Sequence, residues 1–184
     1  LEDIDKVAYY SDEPFADTSI IPTYYLAKMT RHSVTVSLSG DGADEIFLGY
    51  PTYIADRLKN LVDWIPGPIV QGLSSVTNNF IPVSHNKVSI DYKIKQFLSG
   101  VNKSNVHAHY HWRQVFNDKQ KSSILSNEYC NQFDDGLSVF EKHWNDVEGA
   151  HYLDQCSYTD IKTWLADDIL VKVDRAAMGA SLET

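Results

Sequence analysis

A short segment rich in glycine and acid, SGDGAD at residues 39–44, holds the side chains best suited to chemistry. Gly40 and Gly42 let the backbone approach a phosphate where a β-carbon would block it, and N–H groups at a turn into a helix bind anions. Carboxylates such as Asp41 and Asp44 repel a phosphate unless a divalent cation, usually Mg²⁺, lies between them. A helix-capping turn with acids in its first residues is the simpler explanation of the same pattern.

The common nucleotide-binding motifs do not account for this segment. A Walker loop needs a lysine and a serine or threonine after its last glycine, and neither is present. The dinucleotide fingerprint needs a third glycine at the position of Glu45. The segment alone therefore leaves a nucleotide loop and a capping turn both open.

The residues around the loop predict a strand before it and a helix after it. SVTVSLS at 33–39 alternates and is rich in β-branched residues, which is typical of a strand. We expect a parallel strand over residues 34–38 that ends at the loop, and a helix that begins near Ala43. VAYY at 7–10 predicts a second short strand.

The rest of the chain is predicted to be mainly helical. A helix should begin at an N-cap at Thr18 or Ser19, with Pro22 in its first turn, and WIPGP at 64–68 marks a break. Helical patterns then follow in PIVQGLSSVTNNF, KVSIDYKIKQFL, HAHYHWRQVF, SVFEKHW, HYLDQCSYTDIKTWL and ILVKVDRAAM. The chain is thus expected to be predominantly α-helical with one or two short strands.

Composition excludes some classes of function. The 184 residues carry a net charge of -9 with 43% hydrophobic residues, and an acidic surface argues against non-specific nucleic-acid binding. No apolar run approaches the roughly 18 residues of a membrane span, and the first residues do not resemble a signal peptide. We expect a cytoplasmic protein in which Cys130 and Cys156 are reduced and buried.

Several other patterns could do chemistry but have simpler explanations. His107 and His111 lie one helical turn apart, as a metal pair would, yet no third ligand is close in sequence, so a helix-surface or packing role is expected. Asp168, Lys172 and Arg175 have the i,i+4 and i,i+3 spacings of a salt-bridged helix face. Packing is the expected role of the aromatic residues at helical spacings, which are Tyr24, Tyr25, Phe47, Tyr50 and Trp164.

Four segments together resemble one family. SGDGADEIFLGY at 39–50 is similar to the ATP-site loop of class B, glutamine-hydrolysing asparagine synthetases, which reads SG(E/D)G(S/A/G)DE(I/V/L)FxGY. DEPFADTSIIPTYYLAK at 12–28 resembles the segment before that loop. WLADDILVKVDRAAMGASLET at 164–184 resembles (Y/W)LPDDxLxKVDRxSMxxSLExR, and YHWRQVFNDKQKSSIL at 110–125 resembles the W-x-x-x-F stretch. The likeness runs from end to end with the motifs in order.

The resemblance implies an activity and roles for particular residues. Such enzymes use ATP to adenylate the side-chain carboxylate of aspartate, and ammonia from a glutaminase domain displaces AMP. Ser39, Gly40 and Gly42 would contact the nucleotide, Asp44 would bind Mg²⁺, and Asp41, where well-known members have glutamate, would accept a proton from ammonia. The substrate-facing region would hold Asp17, Ser19, Lys172, Arg175 and Glu183, among which Ser19 is equally a helix cap and the cations equally an ion-pair network.

The resemblance also implies a fold and a place within it. The parent domain would be an α/β, adenine-nucleotide α-hydrolase-like fold with a parallel sheet, and residues 1–184 would be its central part. The family's SGGxDS pyrophosphate loop, glutaminase cysteine and RxPxLD stretch do not occur in this sequence, so we expect the isolated chain to be inactive and to self-associate. Two alternatives remain: a related amidotransferase that acts on another carboxylate, such as a uronic acid of a surface polysaccharide, and a non-catalytic interaction module.

Overall fold

The computed structural model describes residues 3–70, 72–73, 90–126, 128 and 136–184. Helices dominate these residues and follow each other in chain order: α1 (Ile4–Ser11), α2 (Ile20–Arg31), α3 (Ala43–Ile46), α4 (Pro51–Val62), α5 (Ile90–Val101), α6 (Asn105–Arg113), α7 (Asp118–Ile124), α8 (Gly136–Asp146), α9 (Tyr152–Asp160), the π-helix π1 (Ile161–Ile169) and α10 (Leu170–Gly179). The prediction of a predominantly helical chain is confirmed. Among the described residues, none of the helices has the length and apolar character needed to cross a membrane.

Neither predicted strand forms in the described residues. Residues 7–10 lie within α1, because Val7 and Ser11 recur at helical spacing and bury one face of the segment. Residues 34–38 pair at one point only, a parallel bridge between Val36 and Glu183. A strand needs a neighbour along its whole length, and the described part of the chain supplies just this one pairing.

The described residues divide into two compact units. One unit is discontinuous in sequence and comprises Leu1–Phe47 with Thr159–Thr184, and the other comprises Leu48–Tyr158. The predicted helices at PIVQGLSSVTNNF and KVSIDYKIKQFL lie partly outside the described residues, with 67–70, 72–73 and α5 as their helical parts. Cys130 also lies outside the described residues, whereas Cys156 is buried and in no disulfide, as expected of a reduced thiol.

The discontinuous unit is built around α10, which packs against α1, α2 and π1. Ala176 and Ala177 are buried on α10, and small side chains let neighbouring helices approach closely. One apolar cluster joins Ala176 to Val7, Ile20 and Tyr24, and a second joins Ala177 to Ala27 and Leu182. This core fixes the helix that carries Lys172 against the start of α2.

The second unit is built around α6, which packs against α4, α5 and α8. Its helices have clear sequence signals: Pro51 stands at the start of α4, and the Ser104 hydroxyl accepts the N–H of His107 at the start of α6. A capping box joins Asn117 and Gln120 at the start of α7. The core cluster contains Tyr53, Trp144 and Cys156.

Candidate functional site

The glycine-rich loop leaves from the pairing of Val36 with Glu183. The Ser37 N–H donates to the Glu183 carbonyl oxygen at 2.9 Å, and the Glu183 N–H donates to the Thr35 carbonyl oxygen at 3.0 Å. Glu183 therefore lies beside the segment that enters the loop, held by its backbone, while its side chain is exposed. The structure thus brings this residue near the loop.

The loop turns sharply into the short helix α3 and does not lie within a continuous helix. The Ala43 N–H donates to the Gly40 carbonyl oxygen at 3.2 Å, and Gly42 precedes α3 with a left-handed φ of 87°. α3 begins at Ala43, as predicted, and Asp44 lies in its first turn. Ser39, Gly40, Asp41 and Asp44 are all exposed, so the loop presents its backbone and both carboxylates to solvent.

The two glycines of the loop serve different purposes. Gly42 is buried, and a β-carbon there would come within 3.3 Å of Leu165 Cδ2 on π1. At Gly40 a β-carbon would meet no atom within 4 Å. The fold therefore requires glycine at 42, whereas the open space at Gly40 leaves room for a ligand to approach the backbone.

A second cluster of polar side chains lies at the start of α2 and along α10. The Lys172 ammonium donates to Asp17 Oδ2 at 2.8 Å, and Asp17 Oδ1 accepts the N–H of Ser19 at 2.8 Å. Ser19 is the N-cap residue of α2, as expected, but its hydroxyl makes no capping hydrogen bond and donates to Asp17 Oδ2 instead.

The ion pairs of α10 also differ from those expected. Lys172 pairs with Asp17 on another element instead of with Asp168 on its own helix face. Arg175 lies 3.5 Å from Asp12, measured between Nη1 and Oδ2. Lys172 is buried with its aliphatic stem in the core, so its charge must be satisfied by the element that packs over it, which is the start of α2.

The carboxylates around Lys172 have shifted pKa values of opposite sign. Burial opposes ionisation of Asp17, but the hydrogen bonds from Lys172 and Ser19 outweigh it and lower the pKa of this carboxyl. Burial raises the pKa of Asp168, the negative charge of Asp17 raises it further, and Lys172 offsets only part of the rise. The Lys172 ammonium thus acts on both carboxylates, but it forms its ion pair with Asp17.

One continuous helical segment links the loop to this cluster. Leu165 on π1 lies against Gly42, and α10, which carries Lys172, follows π1 without a break. The exposed loop and the Asp17–Lys172 pair therefore lie against the same continuous segment.

Sequence reasoning missed the placement of Leu165 beneath the loop and of Asp17 against Lys172. Leu165 belongs to a π-helix, where the i,i+3 and i,i+4 spacings of an α-helix do not mark one face, so the sequence offered no signal for the first. The second joins residues 155 positions apart, and no local pattern reports such a contact. The π-helical turn at Ile161–Ile169 had no signal in the sequence either.

The loop's donor set suits a magnesium ion bound together with phosphates. Asp41 and Asp44 form no ion pair with another described residue, and their exposed carboxylates offer hard oxygen donors. Mg²⁺ keeps several waters and commonly takes one or two carboxylates together with substrate phosphates. Backbone N–H groups at a turn into a helix favour an anion at the same place.

The paired histidines of α6 do not form a metal site with each other. His107 Nε2 lies 2.9 Å from Glu141 Oε1 on α8. His111 is hydrogen-bonded through both ring nitrogens, to the Ser99 hydroxyl and to the Gln114 amide, each at 2.7 Å. The expected helix-surface and packing role is confirmed.

The aromatic residues expected to pack divide into buried and exposed groups. Tyr24 is buried and Tyr50 is half-buried. The Arg113 guanidinium carbon lies over the Tyr50 ring, 4.5 Å from the ring centroid. Trp164 is also half-buried. Tyr25 contacts the Tyr24 ring edge-on, with centroids 6.0 Å apart. Phe47 is 80% exposed, so the packing role predicted for Phe47 is wrong within the described residues.

The sequence of the chain is similar to that of known proteins, which share one family description. The family described as Asparagine synthase matches residues 1–184. The chain is 27% identical to "Asparagine synthetase [glutamine-hydrolyzing] 1" of Bacillus subtilis (strain 168), over 100% of the chain and 27% of that protein. It is 28% identical to "Putative asparagine synthetase [glutamine-hydrolyzing]" of Mycobacterium tuberculosis (strain ATCC 25618 / H37Rv), over 97% of the chain and 26% of that protein.

An archaeal relative has the same description. The chain is 27% identical to "Putative asparagine synthetase [glutamine-hydrolyzing] 2" of Methanocaldococcus jannaschii (strain ATCC 43067 / DSM 2661 / JAL-1 / JCM 10045 / NBRC 100440), over 95% of the chain and 32% of that protein. No solved structure is significantly similar to the chain. The chain spans about a quarter to a third of the length of these relatives. Because the family match covers every residue, the chain belongs to the asparagine synthase family.

Proposed function

We propose that this chain is the central part of the synthetase domain of a longer, glutamine-hydrolysing asparagine synthetase. The parent would adenylate the side-chain carboxylate of aspartate with ATP and transfer glutamine-derived ammonia to it, releasing AMP and asparagine. Its domain would have the α/β, adenine-nucleotide α-hydrolase-like fold with a parallel sheet. Family membership over residues 1–184, and coverage of 27% of a relative's length, support this assignment.

The observation that carries the proposal is the exposed loop above the helix that holds Lys172. Two free carboxylates, an open glycine and the start of a helix occur within six residues. The segment beneath them continues into α10, which carries a lysine paired with Asp17. An enzyme that joins a nucleotide to a carboxylate needs a metal-assisted phosphate site beside a charged acceptor site, and we assign these two roles to the two clusters.

Residues of the loop take distinct roles in the proposal. Ser39, Gly40 and Gly42 bind the nucleotide, with the backbone approach at Gly40 unobstructed. Asp44 holds Mg²⁺, which when bound neutralises phosphate charge. The Asp41 carboxylate accepts a proton from the attacking ammonia nitrogen as the amide bond forms.

The second cluster supplies the acceptor side in the proposal. Asp17 and Lys172 form a fixed ion pair, with Lys172 buried and Asp17 oriented by Ser19. Arg175 is partly exposed and lies at the loose distance of 3.5 Å from Asp12, so it is free to contact an anionic substrate. Glu183 is exposed next to the segment entering the loop.

The two loop carboxylates can be separated by experiment in the full-length parent. ATP–pyrophosphate exchange reports adenylation, and amide production from ammonia reports the whole reaction. Asp44→Asn is expected to abolish both, because the phosphates lose their metal ligand. Asp41→Asn is expected to retain exchange and to slow amide formation by about 10²–10⁴-fold, the usual contribution of a general base.

Asp118→Asn is the matched control, since Asp118 is an exposed acid at the start of a helix in the other unit. It should leave both activities unchanged. Equal loss of exchange and amide formation in Asp41→Asn would contradict the role given to Asp41. The acceptor is identified by assaying amide formation with aspartate and with uronic acids. If only uronic acids react, they become the proposed acceptor in place of aspartate.

A further inference from the structure

Three buried side chains of different chemistry converge in the core of the Leu48–Tyr158 unit. Asp56 comes from α4, His109 from α6 and Cys156 from α9, and their exposed fractions are 3%, 0% and 0%. A carboxylate oxygen, an imidazole nitrogen and the thiol sulfur all lie within 4.8 Å of one another. None of the three belongs to the loop, the Lys172 cluster or the proposed reaction.

We propose that Asp56, His109 and Cys156 bind a divalent transition-metal ion of the Zn²⁺ type. Oxygen, nitrogen and sulfur donors together suit a borderline ion such as Zn²⁺ or Co²⁺, whereas Mg²⁺ takes oxygen donors only. Zinc sites with three protein ligands complete a tetrahedron with a water molecule. This site would be separate from the magnesium site proposed at the loop and would stabilise the unit.

The charges of the donors match such an ion. A carboxylate and a thiolate carry two negative charges, which balance M²⁺ when the imidazole is neutral, so the filled site is neutral within the core. The nearby Lys59 ammonium is directed elsewhere, donating to Asp63 Oδ1 at 3.0 Å and to Asn105 Oδ1 at 2.9 Å. Its charge is thereby largely taken up by Asp63.

The surroundings hold the ligands in place and shield the site from bulk solvent. The imidazole of His109 stacks on Tyr53 with ring centroids 5.9 Å apart, and Phe140 and Trp144 lie 5.6 and 6.4 Å away. Aromatic walls of this kind lower the local dielectric constant, which strengthens bonds between a cation and anionic ligands.

Binding requires a small rearrangement and the loss of a proton. His109 Nδ1 and Asp56 Oδ2 are hydrogen-bonded at 2.7 Å, whereas bonds of about 2.0–2.3 Å to one tetrahedral ion place donor atoms about 3.3–3.6 Å apart. The imidazole proton moves to the other ring nitrogen if Nδ1 binds the ion, and the thiol proton is released to solvent. Because the site is buried, the unit must open for the ion to enter, so uptake should be faster during refolding than into the native chain.

Cobalt(II) tests the proposal, because thiolate ligation gives it a charge-transfer absorption and tetrahedral geometry intensifies its visible bands. The experiment uses the 184-residue chain with Cys130→Ser, which leaves Cys156 as the sole thiol. Cobalt is added to the folded chain and, separately, during refolding. One cobalt per chain with a thiolate band, displaced by Zn²⁺, is the expected result.

Single variants then identify the ligands. Asp56→Asn keeps the size of the side chain and should weaken cobalt binding at least about tenfold, and Cys156→Ser should abolish the thiolate band. His107→Gln on the same helix α6 is the matched control and should change neither, since His107 is engaged with Glu141. Zinc should raise the unfolding temperature of the Cys130→Ser chain and of the control, but not that of Asp56→Asn.

The Cys130→Ser chain alone can overturn the proposal, so the test does not depend on the folding of the ligand variants. No thiolate–cobalt band after refolding in cobalt, with circular dichroism reporting a folded chain, would show that the three residues form only a hydrogen-bonded network. A band accompanied by an unfolding temperature that zinc leaves unchanged would place the thiol–metal contact outside the native state and would equally reject the site.

Discussion

At the scale of single residues, Gly42 and Gly40 differ in how much space the loop leaves for a side chain. Gly42 combines a φ of 87° with close contact to Leu165, whereas Gly40 has open space around it. We predict that Gly42→Ala lowers the free energy of unfolding by about 1–2 kcal/mol, the usual cost of a left-handed residue with a β-carbon. Gly40→Ala should change it by less than about 0.5 kcal/mol. Chemical denaturation of both variants measures the difference.

The same two variants distinguish an effect on stability from an effect on ATP binding. In the full-length parent, Gly40→Ala should raise the KM for ATP at unchanged stability, because a methyl group would occupy the space proposed for the phosphates. Equal stability losses in the two variants would mean that Leu165 and the turn do not constrain Gly42 as described.

The carboxylates near Lys172 lead to a second prediction, on pH. Asp17 has a lowered pKa, so the stability it contributes is present above its ordinary pKa of 3.8 and is lost as pH falls through the folded value. Asp168 has a raised pKa, so ionising it destabilises the folded chain. This destabilisation is absent below pH 3.8 and develops as the pH rises through the folded pKa. At neutral pH, Asp168→Asn should therefore stabilise the chain and Asp17→Asn should destabilise it.

The differences in stability between each variant and the parent chain should vanish as the pH falls below these pKa values, since all the carboxyls are then neutral. Thermal unfolding followed across this range by circular dichroism is the measurement. Asp167→Asn, an exposed neighbour of Asp168 on π1, is the control and should follow the parent chain throughout. A stabilising Asp17→Asn would contradict the ion pair with Lys172.

At the scale of elements, most helices were predictable, whereas α1 was expected to contain a strand and no strand formed in the described residues. α2, α4 and α7 have local signals, such as Pro51 at a helix start and the Asn117 capping box, that depend only on neighbouring residues. The pattern at 34–38 coincides with one parallel bridge, but a strand needs a partner along its length, and only Glu183 pairs with this segment in the described residues. At the site, the loop and the start of α3 were read from glycines and acids, whereas the Asp17–Lys172 contact depends on tertiary packing.

Helix α5 contacts α6 so closely that glycine is needed at one point. A β-carbon on Gly100 would lie 2.6 Å from the Trp112 indole, which stacks on Phe97 and donates its Nε1–H to the Gln96 carbonyl oxygen at 2.9 Å. Gly100→Ala should therefore displace the indole and cost about 1–3 kcal/mol of stability. Near-ultraviolet circular dichroism and denaturant unfolding report the two effects.

Gly67 provides the control for this substitution. It is also helical, but a β-carbon there would meet only Asn102, at 3.8 Å. Gly67→Ala should leave stability equal or slightly higher, because alanine is the better helix former. If Gly100→Ala were as stable as Gly67→Ala, the packing of α5 on α6 would have to be looser than described.

At the scale of the whole molecule, the isolated chain should bind nucleotide weakly. The loop offers ATP two carboxylates on a chain of net charge -9, and the cations and pyrophosphate loop typical of the family do not occur in this sequence. We predict a Kd for Mg·ATP in the millimolar range or weaker, about −4 kcal/mol at best. Calorimetric titration measures it, and micromolar binding would contradict the incomplete site.

Exposed apolar side chains predict how the chain behaves in that titration. Leu38 is 99% exposed and Val36 58% exposed in the extended segment before the loop, and Phe47 is 80% exposed after it. Apolar surface of this kind favours self-association. Light scattering should therefore detect association that grows with protein concentration, and a strictly monomeric chain at high concentration would argue that these side chains are too dispersed to associate.

The division into a continuous and a discontinuous unit has a consequence for biosynthesis. A ribosome releases Leu48–Tyr158 as one uninterrupted stretch, so that unit can collapse while later codons are still being read. Leu1–Phe47 must wait for Thr159–Thr184, since its core helix and the lysine 155 positions beyond Asp17 are made after the intervening unit. At about 5–20 residues per second the delay lasts many seconds. Nascent Val7, Ile20 and Tyr24 lack the helix that covers them during this delay, which leaves their apolar side chains open to binding by a ribosome-associated chaperone.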